Sequence, residues 1–380
     1  MGTNLAVETR TLQQAWGYYF FLGDDSVRLP AFIEEHCPIT LYDSGLLSAH
    51  LHGHPAFASE LHSAAGRVPT LLKGVASAFQ ATAAAYQNNE ADAAVQAAML
   101  FPEARIADPT PEAAGPMQVQ TQLTGHDDKF PDWWNPSQAL VEPSGEAPGV
   151  DGALDRLNDL LGAVPGSLAD EFLGFIGLGP TDIAKKVVGD WDRLHHCGLA
   201  LHAVVDYHAQ LSVLIRDAGV ATTSGWSGIG ADRAEAYLAS LANAMETQCV
   251  KLPQFADGCL NTANAWKTLV DALTVLVEGI VGLVAVLMAL LSSAGIALPA
   301  GAGLVVTAAR VGPAGVAIAN TLTMLFTAVL STLGAGANLV ATLSGTLTKA
   351  LTYEYPAYRI TLPDIAGDPD ELPPYPSELL

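Results

Sequence analysis

The chain has 380 residues, more than one ordinary single-core domain holds, so two or three units are expected. Half of it is hydrophobic, 15% is charged and 7% is aromatic; Ala, Leu, Val and Gly dominate, which favours helices packed through small side chains over a β-rich fold. With 17 Lys and Arg against 39 Asp and Glu, the formal net charge is −22, which argues against nucleic-acid binding, where cations must neutralise phosphates.

Residues 1–100 read as a helical unit. Its first 24 residues lack the basic start, apolar stretch and small-residue cleavage site of a secretory signal peptide, so a leader of that kind is not expected. Leu61, Ala65, Val68, Leu72, Val75, Phe79, Thr82 and Tyr86 recur at spacings of three and four, one stripe of a helix. Tyr86 and Glu90 stand four apart and would share a helical face. Residues 101–165 carry nine prolines among acidic and small polar residues and read as a linker with short ordered pieces. Two exposed indoles are costly, so Trp133-Trp134 is expected to dock onto a neighbour.

Residues 166–266 read as a second helical unit. Leu194, Cys197, Leu201, Val204, His208, Leu211 and Ile215 line one face of a helix from about Asp190 to Asp217. A break is expected over Gly219 to Gly230. A second stripe then runs through Ala231, Ala234, Leu238, Leu241, Met245, Cys249 and Leu252. Two such helices joined by a short turn make an antiparallel hairpin, with Trp226 plugging its end and the flanking glycines reversing the chain. His208 lies in the stripe and reads as a hydrogen-bonded interhelical residue.

Residues 267–350 form a long apolar region. Between Glu278 and Lys349 the only charged residue is Arg310, and each side of it exceeds the ~20 residues that span a bilayer. Three arrangements are open: a standing membrane hairpin, a hairpin that inserts conditionally, or two helices buried in a bundle or against a partner. Small residues such as Gly295, Gly334, Gly336 and Ala337 would permit close helix approach. Residues 351–380, acidic and rich in proline, read as a disordered tail.

No linear enzyme motif emerges. Gly225-Trp226-Ser227-Gly228-Ile229 lacks the last glycine of a nucleophile elbow, and no Walker or HExxH sequence occurs. No enzymatic activity, cofactor or metal is therefore expected. His50-Leu51-His52-Gly53-His54 and His195-His196-Cys197 lack a clear fourth ligand. Asp271 and Glu278, two turns apart, read as solvated residues ahead of the apolar region, with an acid/base pair as the alternative. The cysteines, Cys37, Cys197, Cys249 and Cys259, read as buried thiols or, for Cys249 and Cys259, as one disulfide.

The hairpin over roughly 180–265, with Gly189-Asp190-Trp191 before its first helix and Trp226-Ser227-Gly228 at its turn, resembles the WXG family of helical hairpins exported by type VII secretion systems. Tyr86 followed by Glu90 resembles the export signal of such substrates, and here it lies outside the Trp-x-Gly hairpin. The resemblance implies an all-α, non-enzymatic protein that leaves the cell by a leaderless route for the envelope or medium. It also implies a small helical partner of the same family, or self-association, to complete a four-helix bundle. Trp226, Gly228, Tyr86 and Glu90 would carry recognition by the secretion machinery. The alternative reading is a membrane-inserting or pore-forming effector acting through residues 267–350.

Overall fold

The computed structural model describes residues 9–38, 54–87, 99–101, 130–131, 134–145, 155–156, 159, 191–295 and 309–351, and among these the secondary structure is helical throughout. The helices are α1 (Thr9–Ser26), α2 (Arg28–His36), α3 (His54–Gln87), α4 (Trp191–Ser224), α5 (Ile229–Ser293) and α6 (Pro313–Leu351). A single 3₁₀ turn (Pro136–Ala139) accompanies them. The expected all-α class holds, with long apolar helices in the second half. Glu90, Trp133, His50, His52 and nearly all of the acidic tail lie outside the described residues.

The stripes read from the sequence are the core. From Leu61 to Thr82 every stripe residue of α3 is buried, as is the α4 stripe from Leu194 to Ile215. On α5 only Cys249 of the stripe is partly exposed. The helices α4 and α5 run antiparallel in one register along the whole of α4. Near the turn Gly219 packs against Leu238. Further along, Arg216 Nη2 donates to Glu246 Oε2 (2.6 Å), the Cys249 thiol to the Val205 carbonyl (3.5 Å), and His202 meets Asp257 (3.0 Å). The far end closes on Trp191 and Trp266, stacked with ring centroids 4.6 Å apart.

A second antiparallel pair, α1 and α3, covers this hairpin. Lys73 reaches Asp24 (3.4 Å), and Tyr19 stacks on Phe79 (5.6 Å). The two pairs share one hydrophobic core. Tyr19 donates its hydroxyl to the Ile215 carbonyl (2.9 Å), and Tyr207 donates to Ser26 Oγ (2.7 Å), which in turn donates to the Leu22 carbonyl (2.6 Å). Phe57 of α3 stacks on Phe255 of α5 at 4.0 Å. The helices α1, α3, α4 and the first part of α5, to Trp266, therefore build a single four-helix bundle, with α2 lying across its α3–α4 side.

The helix α4 does not break at Gly219. It continues to Ser224 and leaves only Gly225 to Gly228 for the turn, a correction to the expected break over Gly219 to Gly230. The hydroxyls of Thr222, Thr223 and Ser224 donate back to the Ala218, Gly219 and Ala221 carbonyls (2.7–3.1 Å), which keeps these poor helix formers inside the helix. Gly228 has φ 107°, a value that favours glycine, and lets the chain enter α5.

At 65 residues α5 is about 100 Å long and passes from the bundle into the apolar region without interruption. Interior prolines, Pro69 in α3 and Pro253 in α5, each remove one helical hydrogen bond but end neither helix. Buried neighbours hold the chain on both sides: Val68 and Leu71, Leu252 and Phe255. Beyond Trp266, α5 packs antiparallel on α6, with Gly279 beside Leu325 and Gly336 seated against Leu269. Leu287, Leu291 and Ala319 close the outer end.

Part of the proline-rich stretch is pinned to the bundle. The Ser137 amide and hydroxyl both donate to the Asp25 carboxylate (2.8 and 2.5 Å), and Phe130 packs against Tyr18. Trp134, expected to dock, is 39% exposed.

Candidate functional site: the Trp-x-Gly end of the bundle

At the turn between α4 and α5 the Trp226 amide donates to the Thr223 carbonyl at 3.2 Å. The indole folds inward and is 3% exposed. It meets Phe79 and Tyr86 edge-to-face, with centroids 6.4 Å from each, a favoured aromatic geometry. Its Nε1–H donates to the Tyr86 hydroxyl at 3.2 Å. Two sequence-predicted residues 140 positions apart thus form one contact. Gly228 supports it by turning the backbone immediately after the indole.

Tyr86 is half-buried at the last turn of α3. Its hydroxyl accepts the indole proton and has one proton of its own to donate. Val220 and Ile229, on either side of the turn, are exposed and give this end of the bundle a small apolar surface. Phe101 and Tyr237 complete the aromatic cluster beneath, with centroids 6.0 Å apart. Phe101 stands alone next to Pro102, so periodicity gave no sign of its role.

The other candidates resolve differently. Cys249 and Cys259 lie ten residues apart on the same continuous helix, about 15 Å along its axis, so the disulfide considered between them cannot form. Burial pushes the Cys249 thiol up to about 12. In His195-His196-Cys197 the thiol points into the core while the two imidazoles sit near the surface. Burial, then the neighbouring His196, lowers the His195 pKa. Among the described residues no group of three or more His, Cys, Asp or Glu is arranged to hold a metal ion.

His208 is fully buried, and its Nδ1 has no hydrogen-bond partner, unlike the hydrogen-bonded interhelical residue expected. Desolvation lowers its pKa to about 3, so it is neutral. Asp271 pairs with Lys267 at 2.5 Å, and Glu278 pairs with Arg156. Each carboxylate thus has its own cation.

Three helices are long and apolar enough to cross a membrane by length and composition: α4, α5 and α6 up to Gly336. Burial separates them. The apolar stretch of α4 is 67% buried, that of α5 33% and that of α6 18%. Past Glu278 the exposed residues of α5 are Gly279, Gly282, Ala285, Val286, Ala289, Ser292 and Ser293, none charged.

No protein-family model, curated protein or solved structure gives a significant match to the chain.

Proposed function

We propose that this protein is a non-enzymatic substrate of a type VII secretion system, exported as a preassembled helical bundle and read at its Trp-x-Gly end. The observation that carries the proposal is the hydrogen bond from Trp226 to Tyr86, which joins the two motif residues resembling those of the WXG family into one feature at the end of the bundle. A recognition element made of two segments exists only when the bundle is assembled. It would therefore report folding to the machinery that binds it.

A lone hairpin needs two more helices to bury its apolar face. In this chain α1 and α3 supply them, so a small helical partner is not needed to complete the core. The secretion machinery remains the partner of the Trp226 end. Net charge of −22 keeps the exported bundle soluble.

The test is export in a host with and without its type VII ATPase, comparing wild type with Trp226→Phe and Tyr86→Phe. Tyr86→Phe removes only the hydroxyl, so its thermal melt should stay near that of wild type. ATPase-dependent appearance in the medium or envelope, reduced in both variants, supports the proposal. Normal export of both variants, or export indifferent to the ATPase, overturns it.

A second reading is favoured by the exposure of the α5–α6 hairpin. Val286 (50%) and Met324 (65%) face solvent on helices that carry no charge from Gly279 to Ser293 and from Pro313 to Gly336. Such a surface suits the hydrocarbon of a bilayer. Glu278 with Arg156, and Lys267 with Asp271, would mark the water side. The full chain should float with neutral phosphatidylcholine vesicles, and Val286→Asp with Met324→Asp should abolish flotation. A wild-type chain that stays at the bottom of the gradient refutes this reading.

A further inference from the structure

Three cysteines remote in sequence meet at the end of the bundle opposite Trp226. Cys37 closes α2, Cys197 lies nearly two turns into α4 on its buried face, and Cys259 faces it from α5; all three are fully buried. The Cys197 thiol donates to the Cys37 carbonyl at 3.3 Å across a sequence separation of 160. Arg193 fixes the same helix end, donating to the Glu35 carbonyl (2.7 Å) and the Pro38 carbonyl (3.2 Å) on either side of Cys37. Cys249 is not part of the group; it lies ten residues along α5 and bonds to Val205.

We propose that Cys37 and Cys197 are a redox clip, a disulfide-forming pair that fastens α2, and through it the N-terminal helices, to the central hairpin.

Cys37 is the better partner for Cys197 on mechanical grounds. It is the C-terminal cap of a nine-residue helix, and the chain leaves that helix at once, so its Cα can adjust to disulfide geometry. Cys259 sits inside a 65-residue helix already tied to α4 by a short turn and held in register by the Trp191–Trp266 stack. A bond from Cys37 to Cys197 also closes the larger loop, which constrains the unfolded chain more.

The reaction needs a low-molecular-weight disulfide as co-reactant. The thiolate of one cysteine attacks a sulfur of that disulfide, forming a mixed disulfide and releasing one small thiol. The second cysteine thiolate then attacks the protein sulfur and displaces the second small thiol. Two protein thiols are oxidised by two electrons, the co-reactant disulfide is reduced, and the two protons leave with the small thiols. The hydrogen bond to Cys197, then burial, hold the Cys37 thiol protonated. Attack therefore waits for the α2 end to open, and the clip closes slowly on a folded chain.

The experiment incubates the full chain with glutathione disulfide at pH 8 and maps thiols and cross-linked peptides by mass spectrometry. The expected product is one intramolecular bond, Cys37 to Cys197, without retained glutathione. Its melting midpoint should lie several degrees higher and return to the starting value with dithiothreitol. Cys37→Ser and Cys197→Ser should abolish the product, while Cys249→Ser and Cys259→Ser should preserve it. Mapping of the unsubstituted chain decides the matter even where a serine loosens the bundle. Four unreacted thiols, stable glutathione adducts, intermolecular bonds, a bond using Cys249 or Cys259, or a bond that leaves the melt unchanged each overturn the proposal.

Discussion

Acid should weaken the bundle through His208. The imidazole sits in the α4 stripe between Val204 and Leu211, fully buried, with its Nδ1 unpartnered and its pKa lowered by desolvation to about 3. In the unfolded chain the same group titrates near 6.5. Between these values the unfolded state binds a proton that the folded state refuses, so stability falls as pH drops below about 6.5 and goes on falling towards pH 3. The linkage integral for this single site gives a loss of about 2 kcal/mol between pH 7 and pH 5, and about 3 kcal/mol by pH 4. The assay is urea unfolding followed by circular dichroism at several pH values, for wild type and His208→Leu. Leucine fills a similar volume and cannot titrate. Its cost or gain at pH 7 sets a baseline, and the difference between the two proteins should shift in favour of the variant by about 2 kcal/mol on going to pH 5. Parallel loss in both proteins would refute the reasoning and assign acid sensitivity to other groups, His195 among them.

Four further outcomes follow from packing and polar contacts. Gly198→Ala places a methyl 2.9 Å from the Ala256 carbonyl oxygen and 2.7 Å from Leu260 Cγ, so the hairpin must spread, at a cost of about 1–3 kcal/mol in a thermal or urea melt. Gly282→Ala meets nothing within 4 Å and should instead stabilise α5 by up to ~1 kcal/mol. Asp25→Ala removes both hydrogen bonds to Ser137, and limited proteolysis should then cut within 134–145 at least several-fold faster than in wild type. Asp257→Asn, which weakens the exposed contact with His202, should change the melt by less than about 1 kcal/mol.

Much of the helical order was legible because burial and periodicity agree. The stripes on α3, α4 and α5 name the core almost residue for residue, since an amphipathic helix must place its apolar positions at 3.6-residue spacing to bury them. The Trp226 turn was legible for the same reason, lying where two stripes of equal length meet. The length of that turn was not. Gly219 and the Thr-Thr-Ser that follows look like breakers, yet Gly219 is there to let Leu238 approach, and the three hydroxyls bond within the helix. The meeting of Tyr86 with Trp226, and of Cys37 with Cys197, could not be read from spacing. Local patterns carry no information about which faces of two separate hairpins will join.

The two ends of the four-helix bundle differ in chemistry. One holds Trp226, Phe79, Phe101, Tyr237 and the half-exposed Tyr86; the other holds the three buried thiols and the Trp191–Trp266 stack. The helix α5 is common to both, and past Trp266 it carries the bundle into the apolar hairpin with α6. That continuity has a mechanical consequence. A helix resists bending over its own length unless proline, glycine or a bulge interrupts it, and between Pro253 and Gly279 the α5 sequence contains only Gly258. Gly258 lies within the bundle, where Ala256, Cys259 and Leu260 are held against α4. The apolar hairpin is therefore a stiff extension whose direction is set by how α4 and α5 pack. A load on the hairpin, whether from lipid or from another protein, would act first on the end of the bundle that contains Cys37 and Cys197. A covalent link there lies where it would best resist separation of the N-terminal helices from the hairpin, while the Trp226 end, about 50 Å away along α4, would be left undisturbed.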